Sequence, residues 1–503
     1  MFIRTVRQTS GRTAIQVVEK IGRKNKLVKH IGTAQSPTEL TQLKDRARMF
    51  INQERVNSGI ISLFDSRFTK TELDSVLARL QFTQALDTVT YRFLAFFYRT
   101  IGFHQLNNPC FADLVIARIV EPASKRKTRD ILELRFGKKY SLSFLYRILR
   151  SASRSKYRET IEQIVHTFLT TTVQESLSVL FFDVTTLYFE AFDEDDTRKC
   201  GFSKDGKYNQ PQIVIALMVT ASGMPLLVRL FEGDTFEGHT MLPCVEEIKN
   251  KLDPDNLIIV ADSAMLSDDN LTLLESKTLH YIVGARLANT ATVMLKTITT
   301  TISRTDGAHM RLSLPDGRLL VVSYSEKRAA KDRSEREKQI AKAKDLLKNP
   351  GKLTRRYKFL SSHNKRYELN EKLIKKAELL EGLKGYVTNV PSLSDEEIIQ
   401  KYASLWRVEK AFRMSKSDLK ARPVFHTLKE SIEAHLLIVF TALAISRHIE
   451  ILTDKSIQHV TTTLSRIKEI IVEDPSTGHR ASKFTNLTTE AQQLLNLTDV
   501  RVT

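Results

Sequence analysis

The sequence predicts a mixed α/β sheet domain preceded by a basic, helical N-terminal region. Three observations carry that expectation. Between residues 178 and 285, five short runs rich in Val, Ile, Leu and Phe alternate with turn signals and two helical stretches. Upstream, from about 37 to 175, apolar residues recur at helical spacing. The charge is uneven: 77 Lys and Arg against 58 Asp and Glu give +19, yet residues 1–160 carry +17, 161–280 carry −12, 281–400 carry +10 and 401–503 carry +4.

Several functional classes are excluded early. With 503 residues the chain exceeds one ordinary domain, and 42% hydrophobic against 27% charged residues is enough to build cores. Cys110, Cys200 and Cys244 show no CxxC spacing, which argues against a disulfide framework or a zinc knuckle. MFIRTVRQTSGR lacks the apolar core of a signal peptide. The longest apolar run, Leu436 to Ile445, is about half of what a membrane crossing needs. Nucleotide-loop, zinc-protease and serine-hydrolase motifs are missing. A soluble intracellular protein without a membrane partner is expected, and its basic excess suits a polyanion such as nucleic acid.

The elements follow in order. Residues 1–35 read as a basic β-hairpin turning at Ser10-Gly11. Ser36-Pro37 opens a helix, 71–103 holds aromatic-rich repeats, and Phe111 to Val120 is a helix stopped by Glu121-Pro122. Ser124 caps a helix whose first turns carry Lys125, Arg126, Lys127 and Arg129, and Leu142 to Arg150 forms the next. These short basic helices fit a helix-turn-helix DNA reader, and equally a helical bundle with a solvated basic face. Strands follow at SVLFFDVTTLYFE, PQIVIALMVT, PLLVRLFEG, LIIVAD and YIVGA, with helices at Leu242 to Leu252 and Asn270 to Glu275. Beyond 286 short strands flank a charged helix, Ser325 to Lys348, and Asp395 to Ile449 returns to helix.

Three carboxylates stand out. Asp183 lies inside the first strand of the sheet, an expensive place for a charge unless it is compensated. Asp262 ends the fourth strand, and Glu409 lies on a helix in YASLWRVEKAFRMSK. If the first and fourth strands are neighbours, Asp183 and Asp262 repel unless a cation lies between them. Oxygen-only donors suit Mg²⁺ or Mn²⁺, and two such ions can drive phosphodiester transfer. A strand-end Asp is also commonly a turn or helix cap. Trp406 reads as a core residue.

Tyr402-x2-Leu405-x3-Glu409-x6-Lys416, with Asp183 and Asp262 before it, resembles the bacterial insertion-sequence transposases of the DDE type that carry a β-rich insertion before the Glu. Further matching segments are Arg118-Ile119-Val120-Glu121-Pro122 with Ser124-Lys125, Gly201-Phe202-Ser203-Lys204-Asp205-Gly206, and Phe231 to Thr240. The resemblance implies a ribonuclease-H-like catalytic core, an α-helical N-terminal DNA-binding region and a β-rich insertion. The expected divisions are a hairpin at 1–35, a DNA-binding region at 36–175, core at 176–285, insertion at 286–400, the Glu helix at 401–450 and a tail at 451–503. It also implies Asp183, Asp262 and Glu409 as catalytic and metal-binding residues with two Mg²⁺ or Mn²⁺ ions. Double-stranded DNA, both element ends and target, would be the partner, with a homodimer in the paired-end complex and a bacterial cytoplasmic location.

Leu405 stands where the family's motif has Arg. Tyr402, Leu405, Glu409, Arg413 and Lys416 would share one helix face, so Tyr402, Arg413 and Lys416 are expected at the phosphate backbone, while Arg407 falls opposite. A metal-dependent nuclease of the same fold, or a transposase-derived DNA-binding protein with a dead site, are the rival readings.

Overall fold

The computed structural model describes the chain apart from residues 9–10, 22–23, 58–79, 155, 191–192, 204–205, 207, 253–256, 266, 349–356, 364–365, 423, 425, 476–477, 486 and 503. The expected turn residue Ser10, part of the 71–103 repeat, and Lys204-Asp205 of the matching segment therefore lie outside the described residues. The chain divides into two units, 1–86 with 468–485, and 87–467 with 486–502.

In the first unit β1 (Phe2–Arg7), β2 (Thr13–Ile21) and β3 (Lys24–Ala34) form an antiparallel sheet where the sequence suggests a two-stranded hairpin. Most of β3 is exposed, so no apolar alternation announces it. Ile15 and Val17 of β2 pack on Ala47 and Ile51 of α1 (Pro37–Asn57). A second sheet joins β4 (Gln81–Leu86) to Glu469–Asp474 and His479–Phe484 from the tail, where no strands are expected from the sequence.

The second unit opens with five helices: α2 (Thr88–Ile101), α3 (Pro109–Val120), α4 (Lys125–Phe136), α5 (Leu142–Arg154) and α6 (Tyr157–Thr167). Local chemistry sets their starts. Asn108 accepts the Phe111 N–H at 3.0 Å ahead of Pro109, and Ser124 accepts the Lys127 N–H at 3.4 Å.

β5 (Val179–Tyr188), β6 (Gln212–Val219) and β7 (Pro225–Glu232) then run as an antiparallel meander. Next come α7 (Met241–Leu252), β8 (Ile258–Ala261), α8 (Asp268–Ser276) and β9 (His280–Ala285). β8 pairs parallel with β5, and β9 parallel with β8. That order, with the middle meander strand antiparallel, is the ribonuclease-H-like arrangement.

The segment expected as an insertion contributes α9 (Thr292–Thr301), β10 (His309–Ser313), β11 (Leu319–Tyr324) and α10 (Glu326–Lys348). It continues with β12 (Leu360–His363), β13 (Arg366–Leu369), α11 (Glu371–Leu379) and β14 (Leu383–Thr388). Three of its strands extend the main sheet, giving eight in the order β10-β11-β14-β9-β8-β5-β6-β7. The rest gathers its own small core of Ala343, Phe359 and Ile374.

After α12 (Asp395–Ala403) and α13 (Trp406–Arg413), α14 (Lys429–Thr453) packs on α3, α5 and β7. By length and composition α14 could cross a membrane, but 72% of its apolar window is buried within the protein, as in a core helix.

A charged knot ties helices to sheet. Arg229 of β7, 8% exposed, donates to Glu162 of α6 at 2.5 Å and to Glu247 of α7 at 2.5 Å. Glu162 is only 4% exposed, so losing its partner would strand a buried carboxylate. Arg229→Met is therefore expected to cost about 3–5 kcal/mol in urea unfolding, and Arg229→Met with Glu162→Leu to recover most of it. A single-substitution cost below about 1 kcal/mol would contradict this account.

Candidate active site

Strand register brings the expected carboxylates to one level. In the parallel pair, Phe182 of β5 lies opposite Ala261 of β8, so the next residues, Asp183 and Asp262, stand side by side on adjacent strands. Neighbouring strands lie about 4.8 Å apart. Ala261 is in turn opposite Val283, and Gly284 opposite Tyr386. One row thus runs Asp183, Asp262, Gly284, Tyr386 across four strands. Asp183 is partly buried and accepts the Val184 N–H at 2.7 Å. Asp262, exposed, accepts the Ser263 N–H at 2.6 Å and the Tyr402 hydroxyl at 3.3 Å.

Tyr402 explains the glycine in this row. The phenol is 4% exposed, its ring lies 4.9 Å from that of Tyr386, and a Cβ at Gly284 would fall on its hydroxyl. Burial first, then the nearby Asp262 carboxylate, raises the Tyr402 pKa, so the hydroxyl keeps its proton and donates.

The helix expected to carry Tyr402 through Lys416 is two helices. It breaks at Ser404-Leu405, and a π-helical turn over Met414–Asp418 follows α13. The single-face argument therefore does not hold across the break. Tyr402 and Leu405 are buried, Glu409 and Arg413 are exposed, and Lys416 is partly buried. Glu409 rides on α13, which packs against β5 and β6. Asp262 and Glu409 both act electrostatically on Tyr402 and on Lys384 of β14, so the two carboxylates lie within electrostatic reach of the same two side chains.

Trp406, read from the sequence as core, is 51% exposed, with the Arg407 guanidinium 5.5 Å from its ring. The break explains it: Trp406 begins a new helix whose inward positions are Val408, Ala411 and Phe412.

Sequence reasoning missed the groups that fix α13. Lys410, next to Glu409, pairs with Glu450 of α14 at 2.8 Å. Arg447 holds the same carboxylate at 2.8 Å and donates to the carbonyls of Ser222 at 3.1 Å and Gly223 at 3.3 Å in the β6–β7 turn. At the other end Arg118, 6% exposed, reaches the Leu419, Lys420 and Ala123 carbonyls at 3.5, 3.4 and 3.2 Å. The segment Arg118 to Lys125 is thus a brace for the chain leaving the Glu helix. The only sequence signal for these contacts was the resemblance at Arg118.

The basic cluster of α4 is divided. Lys125, grouped with the DNA-facing residues from sequence, is 4% exposed, and burial, then Arg118, holds its pKa well below the usual lysine range. It faces the interior, beside His426, whose pKa burial and these two cations push down to about 4. Arg126 and Lys127 are exposed, with Lys127 3.0 Å from Glu121, and the half-exposed Arg129 pairs with Asp130 at 2.6 Å.

The Gly201 segment has its own reason. Buried Gln212 donates to the Phe202 carbonyl at 3.0 Å and the Gly233 carbonyl at 2.8 Å, a seam too tight for a side chain at either Gly201 or Gly233.

Asp183, Asp262 and Glu409 offer oxygen donors alone, a set that fits a hard divalent cation. They are not a closed cage: among the described residues no group of three or more His, Cys, Asp or Glu stands close enough to enclose an ion.

The Gly284–Tyr402 fit yields a direct check. Gly284→Ala is expected to destabilise by about 1–3 kcal/mol, because the new methyl displaces a packed phenol. In a Tyr402→Phe background, which removes the clashing oxygen, the penalty should shrink by at least about 0.5 kcal/mol in a double-mutant cycle. Strict additivity of the two changes would refute the close approach.

Comparison with known proteins identifies the family. The family model for the transposase DDE domain matches residues 174–445, more than half of the chain. No curated protein matches. Among solved structures, the piggyBac transposase synaptic complex with hairpin DNA aligns at 12% identity and a TM-score of 0.39, covering 71% of this chain and 69% of that one. The Mos1 transposase paired-end complex with left transposon end aligns at 10% identity and a TM-score of 0.16, covering 49% and 68%. With the family model matching more than half of its length, the chain belongs to the family of transposases with a DDE domain.

Proposed function

We propose that this transposase binds the ends of a bacterial insertion sequence, cuts a DNA strand there and joins the freed end to target DNA. The observation that carries the reading is the pairing of β5 with β8, which sets Asp183 and Asp262 level on adjacent parallel strands. DDE transposases generally use divalent metal ions. In this reading Asp183, Asp262 and Glu409 would hold two such ions, whose charge would favour deprotonation of the attacking oxygen and steady the leaving one.

The chain's own residues account for the rest. Tyr402 orients Asp262 by its donated hydrogen bond, while Arg413 and Lys416 neutralise phosphates beside Glu409. Water adds to the phosphodiester at the element's end and the 3′-oxygen leaves. The freed 3′-hydroxyl then attacks a target phosphate in line, displacing the target's own 3′-oxygen. Positioning suffices, and no covalent bond to the protein forms. Arg126, Lys127 and Arg129 of α4 contribute to DNA binding in this reading, and Lys125 does not, because it is buried. The complex that joins two ends is a homodimer acting on DNA in the cytoplasm.

The test uses duplexes carrying the repeats that bracket the reading frame. Asp183→Asn, Asp262→Asn and Glu409→Gln should each lower Mg²⁺-dependent cleavage at least about 100-fold while DNA binding survives. Pre-cleaved ends bearing 3′-hydroxyls should be joined to a target plasmid. Cleavage without joining would make the protein a nuclease of this fold. Cleavage that persists in Asp183→Asn would overturn the site, and binding without cleavage in the unaltered protein would mark a dead site.

A further inference from the structure

Leu405 is 6% exposed and packs inward, so the helix carrying Glu409 supplies no cation from the position where the family's motif has Arg. A cation nevertheless stands on the ring that hydrogen-bonds Asp262, and it comes from the sheet. Lys384 is the second residue of β14, two before Tyr386, so the two share a face. Its ammonium lies 4.3 Å from the centre of the Tyr402 ring and 5.9 Å from that of Tyr386. The Tyr402 hydroxyl reaches Asp262 at 3.3 Å from the same ring, which locates Lys384 beside the carboxylate row.

The surroundings of this ammonium are unusual. Aromatic faces attract a cation but accept no conventional hydrogen bond, and an ammonium carries three donors. Among the described residues Lys384 has no acceptor within hydrogen-bonding distance and no ion pair, although it is partly buried. Asp262 and Glu409 attract it from further away, while Arg328 repels it and is itself engaged with Asp332 at 3.5 Å. Three donors held at the edge of an acidic row, with their charge steadied by two rings, match an oxyanion that arrives from outside.

We propose that Lys384 is a substrate-binding residue of this site, taking a non-bridging phosphate oxygen of the DNA strand that lies along Asp183 and Asp262. This rests on the transposase reading above. The interaction supplies from a strand the phosphate contact that Leu405 does not provide from the helix. It also bridges the repulsion between the carboxylates and the incoming backbone without touching the carboxylates' metal-binding oxygens.

The experiment measures binding of labelled duplexes from the DNA flanking the reading frame, in EDTA and across a salt series, so that metal loading plays no part. Lys384→Met keeps the apolar stem and loses the charge, while Lys384→Arg keeps the charge. Lys384→Met is expected to bind about tenfold more weakly, with the slope of log K against log salt reduced by about 0.9, the signature of one lost phosphate contact. Lys384→Arg should restore the slope. Unchanged affinity and slope in Lys384→Met, with the unaltered protein binding normally, would overturn the assignment alone. A lower affinity at unchanged slope, not rescued by Arg, would also overturn it, because packing and not charge would be at fault. If the unaltered protein shows no salt-dependent binding, the transposase reading falls and this inference with it.

Discussion

The parallel pairing of β5 with β8 is the constraint on which the site depends. Side chains alternate along a strand with a period of two, so a slip of one residue would send Asp183 to the opposite face from Asp262. The register is fixed by burial: Leu180, Phe181 and Phe182 on β5 and Ile259, Val260 and Ala261 on β8 are all close to fully buried. Both faces of these strands are covered, so a slip would force each of these side chains into a space shaped for another, at about 1–3 kcal/mol for each misfit. The carboxylates are thus held level by apolar residues of the core. Once that level is set, Gly284 and Tyr386 follow on the next strands, and Tyr402 can settle over the gap that Gly284 leaves.

Glu409 is placed by a different route. Its helix is only eight residues long, too short to hold its own orientation, so neighbours must supply it. Lys410 and Arg447 converge on Glu450, and Arg447 extends the tie to the β6–β7 turn. Arg118 grips the carbonyls just beyond the π-helical turn, where Lys420 adopts a left-handed φ of 43°. These charges are buried or nearly so, and removing one partner would leave the other unpaired, which makes the arrangement rigid. The helical region before the sheet therefore acts in part as a scaffold for the Glu helix, as well as offering the exposed side chains of α4.

Much of the core was legible in the sequence because strands buried on both faces read as unbroken apolar runs, and SVLFF and LIIVAD each end or break at an acid. What escaped were features set by tertiary packing. Periodicity cannot see the break at Ser404-Leu405, since both segments remain helical on either side of it. Lys125 looks like its basic neighbours, yet α4 turns it inward against Arg118 and His426. Trp406 reads as a core residue in the sequence, although the new helix begins with it facing out. β3 is largely exposed and the tail strand His479–Phe484 holds few apolar residues, so neither carries an apolar alternation. Lys384 had no motif at all, because its significance comes from Tyr402, eighteen positions along the chain and on another element.

The uneven charge takes its meaning from this geometry. A −12 segment that includes Asp183 and Asp262 lies between +17 and +10 segments, and a duplex drawn to the basic parts must still approach the acidic row. Two like charges about 4 Å apart repel by about 1 kcal/mol in water and by about 4 kcal/mol where the effective dielectric constant is about 20. A basic surface elsewhere relieves little of that, because exposed charges beyond about 8–10 Å are screened at physiological salt. Compensation has to be local. Under the proposed function, the groups that would supply it are cations taken up by the carboxylates, Lys384 on β14, and Arg413 one turn beyond Glu409. The overall +19 can bring DNA to the protein, but the placement of a few charges around an acidic row decides whether a phosphate can stay there.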